Sequence, residues 1–251
     1  RSIFWFLAIF AVVVLAAVML LLPETHPPTR RTPLSTRALV SAVTDSSKDP
    51  SVRRLLLVSS FNFAALFTYI SAAPAFIVDH LHLGPGDFGW LFVPVVTMMI
   101  VGSWLTGRLA GRISGPRFLT LGFGVAVLGG VVQLALDVVG LRTLPWVLVG
   151  PVTTGLGIAL VFPIVTLVLL EVRPRHRGTL SSMQSFSNTM LNAIVAGALV
   201  PLVSASLAGL TGAAVTFSIA GWLVWARHHR MAHPDVSAPP DPESYEPTDR
   251  M

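Results

Sequence analysis

The 251-residue chain is 53% hydrophobic and 12% charged, with a mean hydropathy of +0.73, which excludes an ordinary soluble domain. Its formal charge of +5 comes almost wholly from arginines set in connectors between apolar runs, so nucleic-acid binding does not explain the basicity. Cysteine is absent, which removes disulfide scaffolds, thiolate metal sites and cysteine nucleophiles.

Taken in order, the sequence predicts seven apolar segments, approximately residues 2–22, 55–78, 88–109, 118–139, 145–170, 180–203 and 207–226. At about 1.5 Å per residue each covers a hydrocarbon core of about 30 Å. None alternates with period 2, so the expected class is an all-α polytopic membrane protein rather than a barrel. The connector 23–54 carries Arg30, Arg31, Arg37, Lys48, Arg53 and Arg54, whereas the next, 79–87, has no Lys or Arg. Arg108, Arg112 and Arg117 follow, then a connector with Arg142 alone, then Arg173, Arg175 and Arg177, then a connector with none, and finally Arg227 and Arg230. This alternation places the basic connectors and the C-terminus in the cytoplasm and the N-terminus outside. The first span starts one residue after Arg1, so the expected whole is longer, with helices preceding these. Residues 1–22 are then the last span of a first half, 23–54 a cytoplasmic central loop, and 55–230 a six-helix second half. The tail 231–251, rich in Pro, Asp and Glu without periodicity, is expected to be disordered.

The connector GRLAGRISGPR, Gly107 to Arg117, reads as a tight turn with arginines at the headgroups. Gly107 is expected to allow close packing, and Gly115 with Pro116 to break the helix and force the return. The pattern resembles the G-x-x-x-(D)-R-x-G-x-R loop of the major facilitator superfamily of secondary transporters, although Gly111 stands where the acidic residue is usual. LPET (Leu22 to Thr25), FNFAALFTYISAAPAFI (Phe61 to Ile77) and RGTLSSMQSF (Arg177 to Phe186) are similar to segments of its Bcr/CflA-like group of bicyclomycin and chloramphenicol resistance drug:proton antiporters. The resemblance implies the last seven helices of a twelve-helix fold, in the inner (plasma) membrane, that exports amphipathic molecules by alternating access. It further implies no cofactor beyond a proton gradient, and a gating role for Gly107, Arg108, Arg112, Gly115 and Arg117.

Candidate substrate contacts come from polar groups at membrane depth, which need partners or a water-filled cavity. In 180–203, Ser181, Gln184, Ser185, Asn188 and Asn192 recur at spacings of three and four and are expected to share a face. In 55–78, Asn62 and Tyr69 lie seven apart among Phe63, Phe67 and Phe76, and Pro74 should kink the helix. Asn62, Tyr69, Gln184, Asn188 and Asn192 are therefore the expected substrate residues. The glycines and prolines of 145–170 suit close, bendable packing. Asp79, Asp87 and Asp137 read as outer-end residues, so no span carries a central carboxylate and any proton carrier is expected outside this sequence, with Asp79 and Asp137 as distant candidates. His80 and His82 lack a third ligand, so no metal site is expected. An enzyme is not expected either, since no H-E-x-x-H, G-x-S-x-G or paired intramembrane aspartate occurs. The alternative from another class is a seven-helix receptor-like protein of the same topology.

Overall fold

The computed structural model describes residues 1–21, 36–84, 86–109 and 112–232. The chain divides into two units, Arg1–Val40 and Ser41–Met251. In the first, α1 (Ser2–Leu21) is a continuous apolar helix with no buried residue. In the second lie α3 (Pro50–Ser71), α4 (Gly89–Leu109), α5 (Gly115–Val139), α6 (Val149–Val172), α7 (Arg177–Ile194), α8 (Val200–Val203) and α9 (Leu207–Ala232), after α2 (Thr36–Lys48), which runs across the division. Among the described residues seven helices are long and apolar enough to cross a membrane.

The ends of these helices follow from local chemistry. Asp49 caps α3, its side chain accepting from the Ser51 N–H at 2.9 Å, and Pro50 occupies the first turn where no N–H is required. Helix α3 therefore starts earlier than its apolar run. It also stops sooner, because Pro74 does not kink a continuous helix: α3 ends at Ser71 and a π-helical turn, Ala75–His80, carries the chain on. Helix α5 closes on Gly140 with φ of +85°, a left-handed conformation that glycine adopts without a Cβ penalty. Helix α7 runs through a second π-helical turn, Val195–Leu199, into α8.

The connector 23–54 was expected to be a loop, and within it Thr36–Lys48 is helical; the rest, up to Ser35, lies outside the described residues. So do the LPET segment from Leu22 and the tail from residue 233.

Small residues set the closest approach in the bundle. A Cβ on Gly122 of α5 would lie 2.6 Å from Val161 Cγ2, and one on Gly157 of α6 would lie 2.7 Å from the Gly122 carbonyl oxygen. The two backbones touch, which is how helices pack tightly where lipid supplies no hydrophobic drive. Two apolar clusters fill the bundle. One gathers Val52, Leu55, Val58, Leu119, Phe123, Val161 and Trp225; the other Tyr69, Phe76, Ile77, Leu91, Ile158 and Leu210. Cross-links identify the two ends. Arg173 Nη2 pairs with Asp49 Oδ2 at 3.5 Å at one, and His80 Nε2 lies 2.8 Å from the Ser204 carbonyl at the other.

Candidate functional site

The polar residues of α7 do not share one face. Gln184, Asn188 and Asn192, four apart, are buried, whereas Ser181, Ser185 and Thr189 are exposed beside Phe186 and Met190. Spacings of three and four alone cover more than a third of a helix circumference, so the amides turn inward and the hydroxyls outward.

The buried amides meet α3. Gln184 Nε2 donates to Ser59 Oγ at 2.9 Å and to Thr166 Oγ1 of α6 at 2.9 Å. Ser59 Oγ and Ser60 Oγ donate to Asn188 Oδ1 at 3.2 and 3.1 Å, and Ser60 also pairs with Ser187 Oγ at 2.8 Å. The result is a clasp joining three helices at the level where one apolar cluster gives way to the other. Asn62 Nδ2 and Asn192 Oδ1 are buried without a hydrogen-bond partner among the described residues. Tyr69 is 2% exposed, edge-on to Phe76, and lines a cavity of about 50 Å³ with Leu66, Leu91 and Val95. That is far below the roughly 300–1,000 Å³ of a drug-sized site. A larger apolar groove, about 520 Å³, lies between α4 and the start of α6, lined by Trp90, Pro94, Leu148 and Val152, and holds none of the five expected residues.

The arginine-rich connector is shorter than its motif. Gly107 and Arg108 belong to the last turn of α4, and Gly115 and Arg117 to the first turn of α5. Gly115 and Pro116 thus begin a helix instead of breaking one, since a first turn leaves N–H groups free and accepts proline. Gly107 brings no neighbour close, because a Cβ there meets nothing within 4 Å. Arg108 stacks on Trp104, 5.4 Å from the ring centroid, and Arg112 is exposed, its N–H bonded to the Leu109 carbonyl at 3.0 Å. Ala110 and Gly111 lie outside the described residues.

Asp137 lies at the end of α5, as expected, but it is 2% exposed there and held by Gln133 Nε2 at 3.0 Å. A carboxylate is therefore buried within a spanning helix. The signal was present in the sequence as an amide four residues before an acid, a pair that faces one way on a helix. His80 makes its contact to Ser204, and among the described residues no three metal-ligating side chains gather.

Comparison with known proteins agrees with this architecture. Over 131 residues the chain is 23% identical to a bicyclomycin resistance protein homolog of Haemophilus influenzae, covering 52% of this chain and 33% of that protein. Over 135 residues it is 22% identical to the multidrug transporter MdfA of Yersinia pestis, covering 54% of this chain and 33% of that one. The aligned part thus spans about a third of the length of these curated relatives. The Major Facilitator Superfamily sequence model matches residues 1–197, and the chain belongs to that superfamily of membrane transporters.

Proposed function

We propose that the protein is a secondary active exporter of amphipathic drug-like molecules, driven by inward proton flow. The observation that carries this is the likeness to a bicyclomycin resistance homolog and a multidrug transporter, seated on a bundle with spanning helices and family membership. The chain would form the second half of an alternating-access pair, opposite a preceding half, in the plasma membrane with the Arg112 end and the C-terminus cytoplasmic. The substrate would meet α3 and α7. Asn62 and Asn192 have unpaired amide atoms to offer, Gln184 and Asn188 hold α7 on α3, Tyr69 closes the face, and Phe186 gives apolar contact. Gly107, Arg108, Arg112, Gly115 and Arg117 would anchor the cytoplasmic closure at the headgroups.

The test is efflux of a fluorescent cationic dye from cells making the full protein. Export that collapses on adding a protonophore is expected. Export indifferent to the proton gradient would leave the family intact and remove the antiport mechanism.

A further inference from the structure

At the Gly140 end of α5 a second polar cluster lies beyond the amides of α7 and meets the substrate face only at Tyr69. The Gly150 N–H donates to Gln133 Oε1 at 3.1 Å, which turns the other side of that amide toward Asp137, and Gln133 Nε2 donates to Asp137 Oδ1 at 3.0 Å. Tyr69 reaches the same point from α3: a Cβ on Gly150 would lie 2.8 Å from Tyr69 Oη and 3.1 Å from Gln133 Cγ. Asp137 Oδ2 is buried and lacks a hydrogen-bond partner among the described residues, and the buried Tyr69 hydroxyl faces Thr211 of α9.

We propose that Asp137 is a proton-binding site of the bundle, with Gln133 as its positioning residue and the Tyr69 hydroxyl as the neighbour that answers its change of charge. A buried carboxylate needs a counter-charge or several donors, and one amide N–H is a poor substitute for either. No cation supplies the charge. Among the described residues no ion pair within 4.0 Å involves Asp137, and Arg142 Nε donates at 3.3 Å to the Asp137 backbone carbonyl instead. From α3 the titratable group is Tyr69. Helix α6 offers the Gly150 N–H here and has Glu171 at its far end, and α9 offers buried Thr211, with Arg227, His228, His229 and Arg230 at its far end. A proton completes the site. It comes from the exposed connector at the Gly140 and Arg142 end of α5, forms an O–H bond at Oδ2 to give the neutral acid, and returns the same way. No bond to carbon changes and nothing is oxidised. An intramembrane ionisable group with named partners is the usual mark of an ion path.

Proton binding at Asp137 can be read without transport, even though Tyr69 also borders the proposed substrate face. The experiment is infrared difference spectroscopy of the full protein in liposomes during a pH titration. A protonated-carboxyl C=O band that titrates as one proton is expected in the wild type and absent in Asp137→Asn. Tyr69→Phe should keep the band and move its frequency. An Asp137→Asn spectrum that still follows the wild-type titration overturns the proposal. So does loss of the band on adding sodium at fixed pH, which would assign the site to a metal cation. Should Asp137→Asn fail to fold, Gln133→Leu leaves the acid in place and should displace the titration at least tenfold in proton concentration; an unmoved titration overturns the proposal equally.

Discussion

Gln184 places its amide nitrogen between two hydroxyls, one on α3 and one on α6, and that commitment separates two roles its position allows. A residue that holds helices together should cost stability when removed, while one that holds substrate should change affinity. Interhelical side-chain hydrogen bonds in membranes average about 0.6 kcal/mol and reach about 1.7. Gln184→Leu breaks two such bonds, so a destabilisation of about 1–2 kcal/mol is expected, read as a lower Tm in detergent, with the KM for substrate little altered. Asn62→Leu should behave in the opposite way, because its Nδ2 has no partner among the described residues to lose. There the expected outcome is an unchanged or raised Tm with weakened export. If both variants lower only the Tm, the α3–α7 face does not touch substrate. The ion pair between Arg173 and Asp49 is partly exposed at 32% and 23%, and pairs of that kind contribute about 0–1 kcal/mol. Arg173→Gln should therefore leave the unfolding midpoint nearly in place.

At the scale of the helix, hydropathy and length revealed which segments cross the membrane, and the chemistry of their ends revealed less. Every expected span corresponds to a spanning helix, because an apolar run of this length has no other stable form in lipid. The misplaced ends were those where a polar residue starts a helix: Asp49 extends α3 backward beyond its apolar stretch, and Ser114 with Pro116 starts α5 inside the arginine motif. The π-helical turns at Ala75–His80 and Val195–Leu199 were hidden for a different reason. Each shifts the angular register, so a stripe counted at three and four residues loses its face beyond the turn. The inward line of Gln184, Asn188 and Asn192 stops just before such a turn. The end position of Asp137 was legible and Gln133 four residues before it hinted at a shared face, but its burial also depends on the Gly150 N–H of another helix, which orients that amide. The α5–α6 contact gives an element-scale prediction. Gly157→Val would push a side chain toward the Gly122 carbonyl, and overpacking of this kind costs about 1–3 kcal/mol. A Tm within error of wild type would mean that the two helices separate freely.

For the whole molecule, the lack of cysteine in these 251 residues makes topology measurable, since each introduced thiol is the only one in this sequence. Cysteines replacing Arg112 and Arg230 should react with an impermeant reagent from the cytoplasmic side, and one replacing His82 from the opposite side. Labelling of Arg112→Cys and His82→Cys from the same side would refute the proposed orientation. The clasp of Ser59, Ser60, Gln184 and Asn188 has a consequence for how the bundle comes apart. It lies where, along α3 and α7, one apolar cluster passes into the other, so at that level those two helices are joined by polar contacts. The two sides are then expected to open with unequal ease. Amide exchange should divide the backbone into two protection classes meeting near Ser60 and Asn188, and a calorimetric scan should broaden or split rather than show one sharp peak.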